Sequence, residues 1–334
     1  CAPLGRGVPV GVLYLQDCAG RKMAFGEEDR LAADRFGRLF GPCAERLAQQ
    51  APTDAPPGVP PVRPVDAPGL VGRCPAFLEV LEELRWANLF EDPPGPVLIL
   101  GPTGVGKSSF ARVLHANSSR RDRPFVQLNC ANLPPDRLDE RLFGVRDRAY
   151  SGVARWVGLL EEADGGTLFL DEVGELSLTS QAKLLTFLDT GCFRVAGDDR
   201  DTRTDVRIVS ATNADPEVLL GDGRMRLDFH ARISENEILV PGLDDRADDI
   251  PLLAQHLLDE LQARSSFQLR LSEDALLALA ARPWPTNVRG LAREVRQAAK
   301  TAVRAGSASI DRAHLSPFEA PTAGADLREA KRDA

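Results

Sequence analysis

A glycine-rich segment that ends in a lysine and a serine is the first part of this sequence with a recognisable chemistry. Residues 101–108 read Gly-Pro-Thr-Gly-Val-Gly-Lys-Ser and fit the pattern G-x-x-x-x-G-K-[ST]. The glycines let backbone N–H groups turn towards phosphate oxygens, and Lys107 would neutralise the charge of those oxygens. We therefore predict a site for ATP, with Mg²⁺ held by Ser108. The predicted nucleotide contacts are Gly101, Thr103, Gly104, Val105, Gly106, Lys107, Ser108 and Ser109. The plainer alternative is a glycine-rich turn before a helix.

Two adjacent acids follow an apolar run further along the chain. Residues 165–172 read Gly-Gly-Thr-Leu-Phe-Leu-Asp-Glu, which indicates a buried strand ending in Asp171 and Glu172. The carboxyl ends of parallel strands form the edge at which such folds bind ligands. Asp171 is suited to Mg²⁺, directly or through water, and Glu172 to polarising an attacking water. Alone, the two acids would more simply be a solvated strand end, but the phosphate motif upstream favours the catalytic interpretation.

A third apolar run ends in an asparagine. Residues 206–213 read Val-Arg-Ile-Val-Ser-Ala-Thr-Asn and predict another buried strand. Its end would reach the same edge as the two acids, so Asn213 could sense the γ-phosphate or position the water. The alternative for Asn213 is an asparagine of an ordinary turn after a strand.

Alternating helix and strand patterns surround these motifs from residue 70 onwards. We predict helices over 77–89, 108–115 and 180–188, and strands over 96–100, 125–128, 167–170 and 206–210. This alternation predicts an α/β fold with a parallel sheet and helices on both faces, spanning residues 69–241. After Pro241 no further pattern in the sequence predicts a strand. Helical patterns over 250–263, 272–281 and 288–304 predict a small all-helical lid over residues 242–316.

The two ends of the chain differ from this central part. Residues 7–15 predict a strand and residues 27–50 a helix, but this pair is too small to close a core. Residues 51–68 are proline-rich and predict a semi-rigid linker. Residues 317–334 are polar, and we expect them to be disordered. Because the first residue is Cys1 and not Met, we expect the chain to be a fragment.

Composition excludes several classes of protein. The apolar runs are too short to span a membrane, and no secretory signal opens the chain. The six cysteines form no C-x-x-C pair, which argues against a metal site or disulfide frame and for reduced thiols in the cytoplasm. A net charge of −8 argues against a broad nucleic-acid surface, so any DNA contact would need a local basic element, and none stands out.

Residues 70–316 resemble the central AAA+ domain of bacterial enhancer-binding proteins, the activators of sigma-54 RNA polymerase. The resemblance is carried by "PFVQLNCANL", "EEADGGTLFLDEVGELSLTSQAKLL", "VRIVSATNADPEVL", "GRMRLDFHARI", "PGLDDRADDIPLLAQHLL" and "WPTNVRGLAREV". It implies that Asn129 contacts the second acid, here Glu172, and switches it with nucleotide state. It implies that Arg226 and Arg232 act as arginine fingers towards a neighbouring subunit, and that Arg289 is the sensor II arginine that reaches the nucleotide.

The same resemblance implies an ATPase that assembles into a ring of six or seven subunits and remodels the sigma-54 holoenzyme. The first 50 residues resemble the C-terminal part of a GAF sensory domain, through "GVPVGVLYLQD…FGEEDRLAADRFGRLFGPCAERL". A generic strand–helix pair is the alternative there. No DNA-binding helix-turn-helix follows residue 316, so we expect DNA contact only through a domain that this chain does not contain.

One loop departs from the family pattern. The sigma-54 contact loop, GAFTGA in the family, aligns with Arg148, Ala149, Tyr150, Ser151, Gly152 and Val153. Tyr150 keeps an aromatic ring where the family has phenylalanine, and Ser151 keeps a hydroxyl where the family has threonine. Arg148 replaces a glycine, however, and Val153 adds β-branched bulk in place of an alanine. Two alternatives therefore stay open, namely an ATPase of this lineage that remodels another target, and a nucleotide-binding regulatory module that does not hydrolyse ATP.

Overall fold

A computed structural model describes residues 2–4, 11–13, 67, 69–89, 95–146 and 156–317 of the chain. The chain divides into two units, Cys1–Arg63 and Pro64–Ala334. In the first unit, β1 (Ala2–Leu4) pairs antiparallel with β2 (Gly11–Leu13), which lies inside the strand predicted over 7–15. The predicted helix over 27–50, the loop 148–153 and nearly all of the predicted linker and tail lie outside the described residues.

The second unit is built from alternating strands and helices, as its sequence predicts. Its strands are β3 (Val97–Leu100), β4 (Phe125–Asn129), β5 (Thr167–Asp171), β6 (Cys192–Arg194), β7 (Asp201–Arg203), β8 (Arg207–Thr212), β9 (Asn236–Leu239), β10 (Arg270–Leu271) and β11 (Ser309–Ile310). Its α-helices are α1 (Pro75–Leu89), α2 (Lys107–Ala116), α3 (Pro135–Phe143), α4 (Leu159–Glu162), α5 (Leu178–Thr190), α6 (Pro216–Gly221), α7 (Leu227–Ile233), α8 (Ile250–Ala263), α9 (Glu273–Ala280) and α10 (Asn287–Arg304).

Five parallel strands form the central sheet in the order β4-β5-β8-β3-β9. Successive side chains of a strand point to opposite faces, so each strand contributes to two cores. Val97 and Ile99 pack with helices α1 and α2, whereas Leu98 packs with α3, α5 and α7 on the other face. All the residues of β8 and nearly all those of β5 are buried, which is why apolar residues occupy consecutive positions in both, at 168–170 in β5 and at 208–209 in β8.

A separate core forms the lid. Leu243, Leu258, Leu279, Trp284 and Val295 are buried together between α8, α9 and α10. The expectation of an all-helical lid needs one correction, because β10 pairs in parallel with β11 inside it. Each strand of this pair has only two residues, which is too short for an alternating pattern to show in the sequence.

Among the described residues, we find no helix of the length and apolarity that crossing a lipid bilayer requires.

Candidate active site

The glycine-rich segment forms a loop between β3 and α2 at the carboxyl edge of the sheet. Gly104 and Gly106 have φ angles of 84° and 100°, in the left-handed region that glycine tolerates best. A Cβ atom on Gly104 would lie 2.2 Å from the carbonyl oxygen of Thr286, so no larger residue fits there without a shift. Val105 between them is buried in the sheet core and offers only its backbone to a ligand.

Lys107 begins α2 and is almost fully buried, with 6% of its surface exposed. Its Nζ donates a hydrogen bond to the carbonyl oxygen of Gly101 at 2.8 Å. Burial lowers the pKa of Lys107, while the nearby carboxylates of Glu172 and Asp171 act to raise it. The structure therefore brings the lysine of the first motif next to the acids of the second.

The strand register decides which partner each acid has. Asn129 and Asp171 are paired residues of β4 and β5, and the Asn129 amide donates to Asp171 Oδ2 at 3.3 Å. The resemblance implied a contact from Asn129 to Glu172, and the structure differs at this point. Glu172 has φ 56°, in the left-handed region, at the end of β5, and its carboxylate bonds elsewhere. The switching role of Asn129 stays a prediction.

Asn213 connects Glu172 to the glycine-rich loop. Its backbone N–H donates to Glu172 Oε2 at 3.1 Å, and its side-chain amide donates to Thr103 Oγ1 at 2.6 Å. This meeting follows from the topology, because β8 lies between β3 and β5 in the sheet. A γ-phosphate sensor and a water-polarising acid need such proximity to the phosphate loop.

The lid also reaches the glycine-rich loop. The backbone N–H of Arg289 donates to the carbonyl oxygen of Gly104 at 3.2 Å. Asn287, at the start of α10, donates from its amide to the carbonyl oxygen of Thr103 at 2.9 Å. Sequence reasoning selected Arg289 from this segment and missed Asn287. The available signal was its place directly before the predicted helix over 288–304.

The ligands for Mg²⁺ proposed from the sequence fit that ion in chemical type. Asp171 supplies a carboxylate and Ser108 a hydroxyl, and Mg²⁺ typically takes one or two such protein oxygens beside phosphates and water.

The acids make this edge of the sheet negative. Burial first, and then Asp171, Glu172 and Glu175, raise the pKa of the neighbouring Cys130 thiol to about 12. No group of three or more His, Cys, Asp or Glu residues able to hold a metal occurs in the described part of the chain.

The two predicted finger arginines lie apart from the residues above. Arg226 is exposed and forms a bidentate ion pair with Asp228, with N–O distances of 2.9 and 2.7 Å. Arg232 pairs with Asp189 at 3.3 Å and with Glu235. It lines a cavity of about 480 Å³ that includes residues preceding β3 and β8, at the amino edge of the sheet and opposite the glycine-rich loop.

Two known domain families match the part of the chain that forms this site. The family described as the sigma-54 interaction domain matches residues 70–239, and the AAA+ ATPase lid domain matches residues 244–330. This chain belongs to the sigma-54 interaction domain family. It carries the AAA+ ATPase module of the sigma-54-dependent activators, as the sequence motifs indicated.

Relatives with described roles are transcription regulators. The nitric oxide reductase transcription regulator NorR2 of Cupriavidus necator is 43% identical over 250 residues, which cover 74% of this chain and 47% of the relative. The Nif-specific regulatory protein of Azotobacter vinelandii is 41% identical over 223 residues, or 66% of this chain and 42% of the relative. The chain thus spans about half the length of the curated relatives it matches.

Solved structures share the fold. NtrX from Brucella abortus in complex with ATP has a TM-score of 0.67 and 30% identity, over 91% of this chain and 65% of that chain. The same protein in complex with ADP gives a TM-score of 0.68 at 28% identity, over 93% of this chain and 67% of that chain.

Proposed function

We propose that this chain hydrolyses ATP and uses the reaction to remodel RNA polymerase holoenzyme that carries sigma-54. The observation that carries the ATPase part is the direct contact among three motifs, in which Glu172 accepts from Asn213 and Asn213 donates to Thr103 of the phosphate loop. Family membership and relatives described as transcription regulators support the target.

Each predicted site residue has a role that suits its position. The loop N–H groups and Lys107 would bind the β- and γ-phosphates, whose negative charge the buried ammonium complements. Glu172 would polarise the attacking water, and Asn213 would orient that water or the γ-phosphate. Mg²⁺ held by Asp171 and Ser108 would neutralise charge on the phosphate oxygens.

The wider assembly is part of the same proposal. A ring of six or seven subunits in the cytoplasm would place Arg226 or Arg232 of one subunit at the phosphate of the next. Residues 69–241 would form the ATPase core and residues 242–316 the lid, with Arg289 reaching the nucleotide and Asn129 reporting its state. Residues 1–50 would belong to a GAF-like sensory domain.

A second target is favoured by one observation. The loop 148–153 carries Arg148 and Val153 where the family has a glycine and an alanine. An ATPase of the same lineage acting on another protein would explain both departures.

Turnover by variants of the two motifs tests the ATPase proposal. We expect Lys107→Ala to weaken ATP binding and to abolish turnover. Glu172→Gln should keep ATP bound while kcat falls by about 100-fold or more, because only water polarisation is lost. Steady-state phosphate release and equilibrium ATP binding measure the two effects. Equal turnover in wild type and Glu172→Gln would refute the assignment.

Binding to sigma-54 by wild type and by variants of the loop 148–153 tests the proposed target. Wild type with ADP–aluminium fluoride should bind purified sigma-54, and apo protein should not. Ser151→Ala should weaken that binding without lowering ATP turnover, while Arg148→Gly combined with Val153→Ala should strengthen it. If neither wild type nor the double variant binds sigma-54 in any nucleotide state, the second target replaces the first.

A further inference from the structure

Thr103 is the meeting point of two asparagines from different parts of the molecule. Its hydroxyl oxygen accepts from the Asn213 amide at 2.6 Å, and its backbone carbonyl accepts from the Asn287 amide at 2.9 Å. Asn213 follows β8 of the sheet, and Asn287 begins α10 of the lid. One residue of the phosphate loop therefore bonds to the sheet on one side and to the lid on the other.

Each asparagine continues the chain of hydrogen bonds. Asn213 donates from its backbone N–H to Glu172 Oε2 at 3.1 Å. The Asn287 side-chain oxygen accepts from the backbone N–H of Leu243 at 2.7 Å. Leu243 is fully buried in the lid core, four residues after β9 ends. An unbroken path thus runs from the water-polarising acid through Thr103 to the point at which the lid begins.

The backbone is unusual at two residues of this path. Glu172 and Asn287, with φ of 56° and 50°, are the two residues other than glycine that have positive φ in the described ranges. Such conformations persist where surrounding contacts fix them, and they cluster at functional sites. Asn287 is also buried, and both ends of its amide are bonded, so its side chain has a single orientation.

We infer that Thr103 is a positioning residue that couples the orientation of Glu172 to the orientation of the lid. Its hydroxyl holds Asn213, and through it Glu172, while its carbonyl holds Asn287 and the lid entry at Leu243. A change of the phosphate loop on nucleotide binding then moves the acid and the lid together. This inference rests on the proposed ATPase function and adds to it a residue whose side chain does not react.

The alternative is that these bonds only stabilise the fold. A purely structural Thr103 would affect melting temperature but not the relation between nucleotide state and lid. A plain nucleotide contact would affect KM and leave kcat unchanged. The coupling role affects kcat and the response of the lid, while the loop N–H groups and Lys107 still bind ATP.

The central experiment compares Thr103→Val with Thr103→Ser in the full chain. Valine keeps the branched shape and removes the hydroxyl, whereas serine keeps the hydroxyl. We expect Thr103→Val to lower kcat by about tenfold with KM within about twofold of wild type, because only the orientation of Glu172 is lost. Thr103→Ser should recover at least about half of the wild-type kcat, since the bond to Asn213 can form again.

The lid response is read from hydrogen–deuterium exchange at the Leu243 amide, which bonds to Asn287. In wild type, AMP-PNP with Mg²⁺ should change this exchange rate by at least about twofold. In Thr103→Val saturated with the same analogue, the change should remain, because the Thr103 carbonyl can still accept from Asn287, whereas in Asn287→Asp it should disappear. A normal kcat in Thr103→Val, or a normal exchange response in Asn287→Asp, would overturn the inference.

A second variant keeps the inference testable should Thr103→Val fold poorly. Asn287→Asp keeps an oxygen for the Leu243 N–H and places the other oxygen against the Thr103 carbonyl, so kcat should fall as in Thr103→Val. The matched control is Asn236→Asp, since Asn236 donates to the carbonyl of Pro96 at 3.1 Å on the opposite edge of the sheet. Its kcat should equal that of wild type. Equal kcat in Asn287→Asp and Asn236→Asp overturns the coupling, whereas a wild type without ATPase activity overturns the proposed function instead.

Discussion

At the scale of single residues, burial changes the protonation of Lys107, the lysine of the glycine-rich segment. The ammonium is removed from water and bonded to the Gly101 carbonyl, and burial lowers its pKa despite the two acids nearby. Between this lowered pKa and the ordinary lysine value, the unfolded chain holds a proton that the folded chain has released. Stability contributed by Lys107 therefore rises with pH in that window, whereas phosphate binding needs the charged form and weakens as pH rises.

We accordingly predict an ATP affinity that falls at a lower pH than an ordinary lysine would give. Above the lowered pKa of Lys107, the dissociation constant should rise by about tenfold per pH unit, because each unit removes most of the remaining charged form. Lys107→Arg should flatten this dependence, since a guanidinium stays protonated. Calorimetric titration with ATP between neutral pH and pH 10 measures both slopes.

Lys183→Arg is the control for that titration, because Lys183 is exposed and pairs with Asp139 far from the phosphate loop in sequence. It should keep the wild-type slope. Identical slopes in wild type and Lys107→Arg would assign the pH dependence to another group.

At the scale of elements, Gln181 fixes the segment that carries Arg226, the first of the two predicted finger arginines. It is fully buried on α5, and its amide donates to the carbonyl oxygens of Leu176 and Arg224 at 2.9 and 2.8 Å. Its side-chain oxygen accepts from the backbone N–H of Arg226 at 2.9 Å. One side chain thus holds the turn before α7 against α5.

We predict that Gln181→Leu lowers the free energy of unfolding by about 3 kcal/mol, since it leaves buried backbone groups without partners. Urea denaturation followed by circular dichroism measures the loss. Gln255→Ala, which removes an exposed glutamine from α8, should change stability by less than about 0.5 kcal/mol. Comparable losses in the two variants would show that Gln181 is not a structural clamp.

The sequence predicted buried elements well and short polar ones poorly. β3 and β5 carry continuous apolar runs and β8 a shorter one, because both faces of each strand are covered, and their ends lie within two residues of the predictions. β9 was missed because it is an edge strand reading Asn-Glu-Ile-Leu, in which only Ile238 is buried. The hairpin β6–β7 and the pair β10–β11 have two or three residues per strand, so no periodicity could indicate them.

The site was predictable to a similar extent. Motif spacing selected the glycine-rich loop, the two acids and Asn213, and the structure brings Glu172, Asn213 and that loop together. The contacts between them depended on register and backbone conformation. The pairing of Asn129 with Asp171, the left-handed Glu172 and the bond from Asn287 to Thr103 are properties of the folded chain that no spacing encodes.

At the scale of the whole molecule, the position of the predicted finger arginine Arg232 decides which subunit's nucleotide it could contact. Arg232 lines a cavity with Pro96 and Val206, which precede their strands, whereas the phosphate loop follows the opposite end of β3. Its own subunit also holds it, through Asp189 and Glu235. An arginine in this position cannot stabilise the transition state of its own subunit without a large movement, but in a ring it could act on the next subunit.

We therefore predict that hydrolysis is shared between subunits. Arg232→Ala and Glu172→Gln should each be nearly inactive alone. Mixed in equal amounts, they should recover up to about a quarter of wild-type specific activity, because an intact acid meets an intact arginine at one interface in four. Wild-type specific activity should also rise with protein concentration as rings form.

Arg224→Ala, which removes an exposed partner of Glu175, should behave as wild type and needs no complementation. Specific activity that does not depend on concentration, with no recovery in the mixture, would place the complete catalytic site in one subunit and leave Arg232 as a structural residue at the amino edge of the sheet.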